Sequence, residues 1–441
     1  MTGIIFSFDT EDFTDELAAN GILEMAEILR SEGVRGAFGL AGYVAKQLHA
    51  WGRTDILSAL KYHEINSHTL RHSYHPTIGE YTNVEDFRAA YNEVIREEAE
   101  GIALIKAATG ARQLYSVYPP GEEKSYAAMY AYGDLGIPLY CDTYADTPDG
   151  HGVHFCNQFH MKYFIDIEDI TAESLAYEDY FYDDLAERRY AIIFFHPNKF
   201  VRYEFWDAVN YMDENKYEYG KWQMPEETSD EWKENIRTAT RELIRRLRAD
   251  ERFEFITYEQ VARENCTGTR ILKPDDIPEI RSRLHESFYP LDKPYSLSIA
   301  DIFRASAAFL RGDKLYACGR VYGFLDEPYA VTEPLHVSAA DVRAAATKLY
   351  TLEIEELQSF IPTSIDVGGV KLGPADFLFA MLDALCGIDD ITVTPREQNI
   401  SLRDFPMLAN PPILDWPIRY PGYTGEYLIR RLPLQAWTLR F

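Results

Sequence analysis

Apolar residues fall along this chain in two alternating periods. Ile4, Ile5, Phe6 and Phe8 surround a single serine and run straight into Asp9, Glu11 and Asp12. That pattern predicts a strand buried on both faces that delivers carboxylates at its C-terminal end. Leu17 to Arg30 then sets Leu17, Ile22, Met25, Ala26, Ile28 and Leu29 at helical spacing, with Gly33 beyond as a C-cap. Val34 to Leu40 returns as an apolar run, and strand-like and helical segments alternate to about residue 262. Such alternation predicts a parallel sheet with outer helices, and a length of about 260 residues suits a barrel with its chemistry at the C-terminal rim of the strands. Asp230 to Arg248, with Trp232, Ile236, Ala239, Leu243 and Leu247 on one face, predicts the helix that closes it.

Beyond the barrel span, residues 1–264, the periodicity stops. Residues 265–294 are rich in charges and prolines (Pro274, Pro278, Pro290, Pro294) and read as a linker. Residues 295–441 read as a second, mainly helical accessory domain. Its three segments Ser298–Ile302, Ser338–Val342 and Gly373–Phe377 each carry a capping residue, an Asp three places on and then apolar helical spacing, which is what a helix N-terminus needs to satisfy its free N–H groups.

Charge narrows the partners. The 44 basic residues against 71 acidic ones leave a formal charge of −27, which repels nucleic acid and anionic membranes, and 46% hydrophobic residues supply ample core. The five cysteines are odd in number and widely spaced, which fits a reducing compartment. No basic and apolar leader pattern precedes Asp9, so a cytoplasmic location is expected. The oligomeric state is left open, a homo-oligomer included.

Carboxylates at a strand end are either solvated loop residues or the start of a site, and a second stretch bears on that choice. In Glu64-Ile65-Asn66-Ser67-His68-Thr69-Leu70-Arg71-His72 two histidines stand at i and i+4. On a helical turn that spacing lets two imidazoles share one metal ion. Two imidazoles and one carboxylate form a catalytic zinc set with a position left open for water, so the pair gives Asp9 and Glu11 a purpose.

The order of a Phe-Asp strand end, then His-Thr-x-x-His, then Ile192-Ile193-Phe194-Phe195-His196-Pro197 resembles the polysaccharide deacetylases, carbohydrate esterase family 4, also called the NodB homology domain. The resemblance covers about residues 1–262. It implies an α/β fold, a distorted (β/α) barrel of the polysaccharide deacetylase type, here with the helical C-terminal domain added. It also implies roles: Asp9 as catalytic base, His68 and His72 as metal ligands, and His196 as the general acid that protonates the leaving amine. The family's base is followed by a metal-binding acid; Glu11, on the same side of an extended strand as Asp9, matches best, with Asp12 as the alternative.

Two motifs depart from the family pattern. Tyr115-Ser116-Val117-Tyr118-Pro119-Pro120-Gly121 lacks the Arg that orients the base, and if Pro120 takes the family proline's place, Gly121 would supply the oxyanion N–H. The next motif is reduced to Cys141-Asp142-Thr143, and Asp142 is read either as a substrate-side residue, with Pro120 and Gly121, or as a solvated strand-end acid. His151, His154, Cys156 and His160 are spaced as a second metal set or an ordinary rim loop. The ring-rich stretches Tyr177 to Tyr182 and Phe200 to Trp222 are read as a sugar platform or as packing over the barrel end. The resemblance thus implies a hydrolase using a divalent metal, for which the nitrogen-rich ligand set favours Zn²⁺, to remove an acyl group, acetyl above all, from the nitrogen of a sugar or related small molecule or short oligosaccharide. The alternatives are a metal-free cytoplasmic amidohydrolase acting on a ureide or imide C–N bond and a catalytically inactive carbohydrate-binding relative.

Overall fold

The first strand, β1 (Thr2–Thr10), is buried at every position. Its isoleucines and phenylalanines fill both faces of a parallel sheet, and burial on both sides is why the run is continuous rather than alternating. The computed structural model describes residues 1–122, 125–141, 145, 147, 149–168, 179–212, 218–355, 359–412 and 422–441. The chain forms two compact units, one of Met1–Gly152, Gln158–Cys266 and Pro412–Leu428, the other of Val153–Asn157, Thr267–Pro411 and Ile429–Phe441.

In the first unit β1 is joined by β2 (Ala37–Leu40), β3 (Glu64–Ser67), β4 (Ser116–Val117), β5 (Leu139–Cys141), β6 (Gln158–Met161), β7 (Tyr163–Asp166), β8 (Tyr190–Phe195) and β9 (Phe253–Phe255). These strands are ordered β6-β5-β4-β3-β2-β1-β8-β7. β1 pairs with β8 along one edge, and on the other with β9 at Thr2–Ile4 and then with β2 at Ser7–Thr10. β6 and β7 lie on opposite sides of this order yet are one piece of chain: β6 pairs with β5, and after Lys162 alone β7 pairs with β8. The sheet is therefore curled, and the chain crosses from one side of it to the other at Lys162. The fold is α/β, with the parallel, curled sheet expected from the alternation.

Residues on the inward parity of these strands pack together: Ile5, Ala37, Tyr118, Leu139, Cys141, Phe159, Met161, Tyr190 and Ile192 share one core with Tyr258. Two buried polar side chains beside it tie the strands to their neighbours. Asn66 Oδ1 accepts the N–H groups of Tyr115 and Ser116 at 2.9 and 3.0 Å. Glu64 accepts those of Tyr258 and Glu259 at 3.2 and 2.9 Å, which caps the helix Tyr258–Asn265. The helix after β1 runs Asn20–Ser31, later than the apolar spacing predicts, and Leu17 lies outside it. The charged helix Asp230–Ala249 starts at a Ser229 cap and buries Ile236, Ala239, Leu243 and Leu247 as expected.

In the second unit the helices Ile277–Glu286, Ile299–Arg311, Ala339–Glu355 and Pro374–Leu385 accompany short antiparallel pairs. The span 265–294, read as a linker, holds the first of these helices; Pro274 and Pro278 occupy first-turn positions, where a missing N–H costs nothing. Ser298, Ser338 and Gly373 stand where helices begin, and Asp301 and Ser298 bond each other's N–H groups at 3.0 Å. Trp437 is buried against Phe288, Phe303 and Phe324. Among the described residues no helix is long and apolar enough to cross a membrane.

Candidate active site

Strand periodicity delivers the site. Successive residues of a strand face opposite sides, so Ile5, Ser7 and Asp9 share the inward side of β1, and the same parity carries Asn66 on to His68, Ser116 on to Tyr118, and Ile192 through Phe194 to His196. All leave the sheet at its C-terminal rim. Asp9, Glu11, His68 and His72 are buried there.

The nitrogens of His68 and His72 and a carboxylate oxygen of Glu11 lie within 4.8 Å of one another. His72 Nε2 is 2.9 Å and His68 Nε2 3.9 Å from Glu11 Oε2. Burial would raise the Glu11 carboxyl, but the charge of His72 and its bond, with His68 close by, hold it well below the usual carboxylate range. Asp12 is turned away: its Oδ1 accepts the N–H and hydroxyl of Thr14 at 2.9 and 2.7 Å, and burial pushes its carboxyl up to about 7. Of the two acids weighed as ligand, Glu11 is the one placed with the histidines.

The His pair does not sit on a helix, contrary to the spacing argument. His68 follows β3 and the chain then turns sharply, with Thr69 at φ 65° and His72 at φ 50°. The turn is fixed by its surroundings. The N–H groups of Gly42 and Tyr43 bond the carbonyls of Thr69 and Leu70 at 2.9 and 2.8 Å, and Glu98 accepts the Leu70 N–H at 3.3 Å. Gly101 lets the helix Phe87–Thr109 approach, since a Cβ there would stand 2.9 Å from Leu70 Cα. Docking of this kind replaces the i to i+4 geometry of a helix and still brings the two rings to a centroid distance of 4.7 Å.

Asp9 Oδ1 accepts the Tyr163 hydroxyl at 2.7 Å, and its Oδ2 lies 3.8 Å from His196 Nε2. Tyr163 stacks on Phe194 at 4.3 Å, and burial together with the Asp9 charge keeps its hydroxyl protonated. His196 Nδ1 bonds Glu168 Oε1, which also accepts the His196 N–H at 3.1 Å. Burial works against the imidazolium, yet Glu168, with Glu11 and Asp9 behind it, raises His196 to about 10. A second grouping of ligand type, Asp166, Glu168 and His196, adjoins the first.

Sequence reasoning missed Tyr163 and Glu168. Both belong to β7 and its continuation, where Tyr163, Ile165 and Ile167 alternate with Asp166 and Glu168. That alternation was the available signal. Tyr163 supplies the donor to Asp9 that the motif's missing Arg left unaccounted for. After Tyr118 the chain enters Pro119 and Pro120, both buried, and Gly121 at φ 51° carries the first main-chain N–H available beyond that strand. Asp142 lies outside the described residues, as do Tyr177 and Tyr217.

The remaining candidates separate. His151 is exposed and pairs with Asp149 at 2.9 Å, while His160 is buried on β6 and stacks on Tyr140. The described residues of the 151–160 stretch do not gather into a metal set. Of the rings, Phe13 and Trp206 are buried, with Tyr43, Tyr74, Tyr219 and Trp222 edge-on or stacked around Phe13. Packing accounts for the inner two, and Tyr219 is 48% exposed.

No protein-family model and no curated protein matches the chain. Solved structures do. A protein from Mycobacterium smegmatis described as a polysaccharide deacetylase aligns at 14% identity over 60% of this chain and 89% of its own, with a TM-score of 0.41. A family 4 carbohydrate esterase from Bacillus anthracis aligns at 16% identity, over 60% and 84%, with a TM-score of 0.33. A family 4 acetyl xylan esterase from Clostridium thermocellum, solved with a cobalt ion, aligns at 14% identity, over 60% and 92%, with a TM-score of 0.32. The solved structures this chain is similar to thus include polysaccharide deacetylases and family 4 esterases, and also a family 4 pseudoenzyme from Bacillus anthracis and a 4-alpha-glucanotransferase from Thermococcus litoralis. The chemistry of its site stands on its own geometry.

Proposed function

We propose that this chain is a metal-dependent hydrolase that removes an acyl group, acetyl in the first instance, from the nitrogen of a sugar or related small molecule. The observation that carries the proposal is the convergence of Glu11, His68 and His72 beside an acid–base pair, Asp9 and His196, held by separate partners. The donor set fits a divalent ion. Glu11 Oε1 and His68 Nε2 are buried with no hydrogen-bond partner, a costly arrangement that a cation would relieve. Two nitrogens and one carboxylate favour Zn²⁺. Bound there, the ion would polarise the acyl carbonyl and acidify water.

The chain's own residues then divide the work. Tyr163 occupies Asp9 Oδ1 and leaves Oδ2 to take the proton of the attacking water. As the water oxygen bonds the carbonyl carbon, the Gly121 N–H is the candidate donor to the oxyanion. His196 Nε2 gives its proton to the departing nitrogen as the C–N bond breaks, and Glu168 holds the ring through Nδ1. The products are the free carboxylic acid and the amine. A net charge of −27 favours a neutral or cationic substrate over polyanions.

Release of acetate from N,N′-diacetylchitobiose and related N-acetyl sugars, measured before and after exhaustive chelation and after zinc is restored, tests this reading. Activity that vanishes and returns with zinc supports it. Full activity without metal would favour the metal-free amidohydrolase, and binding without turnover the inactive relative.

A further inference from the structure

We infer that Asp207 and Ser73 are positioning residues that hold His72 in its metal-binding tautomer; the inference rests on the metal reading above. An imidazole binds a metal through one nitrogen only when the proton sits on the other, and the partner of that other nitrogen decides where the proton goes. For His68 the matter is settled by the main chain. Its Nδ1 lies 2.7 Å from the Tyr118 carbonyl, which can only accept, so Nδ1 carries the proton and Nε2 faces Glu11.

His72 has a different neighbour. Its Nδ1 lies 2.9 Å from the Ser73 hydroxyl. A hydroxyl donates or accepts with equal ease, so Ser73 alone leaves the tautomer undetermined. Asp207 removes the ambiguity. It is buried at the start of the helix Trp206–Tyr211, its Oδ2 is 3.7 Å from His72 Nδ1, and the Ser73 hydroxyl reaches the same carboxylate. A carboxylate oxygen that accepts the Ser73 hydroxyl fixes the serine proton on that side and turns the serine lone pair toward His72 Nδ1. Nδ1–H then satisfies that side of the ring, and Nε2, here bonded to Glu11 Oε2 at 2.9 Å, would have its lone pair free for a cation held with Glu11 and His68.

Asp207 stands behind the ring, away from Nε2, which makes it a support and not a further ligand. Its own placement is independent of the site: Oδ1 accepts the Ala208 N–H at 2.7 Å, and the neighbouring Trp206 is fully buried. It arrives from a segment more than 130 residues downstream of His72, with no spacing that would mark it as part of the site.

Asp207→Asn inverts the polarity with almost no change in shape. The amide keeps an oxygen for Ala208 but offers N–H to Ser73, so the serine proton is driven toward His72 Nδ1 and the ring proton toward Nε2. Competition titration of zinc against a chromophoric chelator, on the full chain, should show affinity about 10- to 100-fold weaker for Asp207→Asn. Ser73→Ala, which leaves the carboxylate free to pair with Nδ1 directly, should lose several-fold. Ring ¹⁵N spectra should show His72 protonated on Nδ1 in the zinc-loaded wild type and shifted toward the Nε2–H form in Asp207→Asn. Equal zinc affinity in the wild type and both variants overturns the inference while leaving the metal reading intact. A wild-type protein that takes up no zinc overturns both. Should Asp207→Asn fail to fold, the Ser73→Ala titration and the wild-type spectrum decide.

Discussion

The Tyr163 hydroxyl and Asp9 Oδ1, 2.7 Å apart, join β1 and β7 across β8, the strand with which both pair. A charge-assisted bond of this kind orients one carboxylate oxygen and leaves the other for chemistry. Tyr163→Phe keeps the ring and its stacking on Phe194 and removes only the donor. Since a hydrogen bond to a charged group contributes about 1.5–3 kcal/mol, kcat on an N-acetyl sugar should fall about 10- to 100-fold. KM and zinc content should stay within a few-fold, as read by steady-state kinetics and elemental analysis. Loss of zinc in this variant would show that Tyr163 supports the ligand set instead.

The ligand assignment has its own test. His72→Ala and Glu11→Gln should each lose the metal while the far-ultraviolet spectrum and melting temperature stay near those of the wild type. Asp12→Asn should retain metal, because its carboxyl is bonded to Thr14 and not to the histidines. Asp9→Asn should keep metal and lose turnover. Metal retained by Glu11→Gln but lost by Asp12→Asn would reverse the assignment.

His63 should make the fold sensitive to acid. Its Nδ1 accepts the Gly36 N–H at 3.0 Å and its Nε2 lies 2.9 Å from the Ala26 carbonyl, so both sites are used by the neutral ring. Burial lowers its pKa from 6.5 to about 4. Between those values the unfolded chain binds the proton and the folded one does not, so stability is complete above about pH 6.5 and falls as the pH drops toward 4. The loss amounts to about 3 kcal/mol. His63→Gln should flatten this part of the profile in urea melts taken from pH 7 to 4; an unchanged slope would assign the acid sensitivity to other groups.

Glu98 should act in the opposite direction. Buried behind the turn that carries His68 and His72, it is pushed from 4.5 up to about 7 by loss of water. In that window the folded protein holds a proton that the unfolded chain has released. The contribution is therefore complete below about pH 4.5 and lost as the pH rises through 7. Glu98→Gln keeps an acceptor for the Leu70 N–H without the charge. It should melt higher than the wild type at pH 8, by about 1–3 kcal/mol of stability, with little difference at pH 5. Equal melting at both values would mean that Glu98 stays ionised.

What could be read along the chain was whatever is local. The buried run ending at Asp9, the His68–His72 spacing and the strand leading to His196 are each contained in a few residues, and strand periodicity then points their ends to one rim. The turn at Thr69 was not legible as such. Its positive φ values are imposed by Gly42, Glu98 and Gly101, which lie on other elements. Tyr163, Glu168 and Asp207 escaped for the same reason: each acquires meaning only opposite a residue far away in sequence. The prolines at 274 and 278 misled because the residue that breaks a helix interior also fits its first turn.

The bend at Lys162 couples two events. Tyr163, which bonds the proposed base Asp9, and Glu168, which bonds the proposed acid His196, hang from the same few residues, and those residues carry the chain from one side of the sheet to the other. On the proposed mechanism, a shift of that segment by one register would disarm proton removal and proton delivery together. Both halves of the proton traffic would then depend on the docking of one stretch of chain, and a molecule in which it is out of place would keep neither.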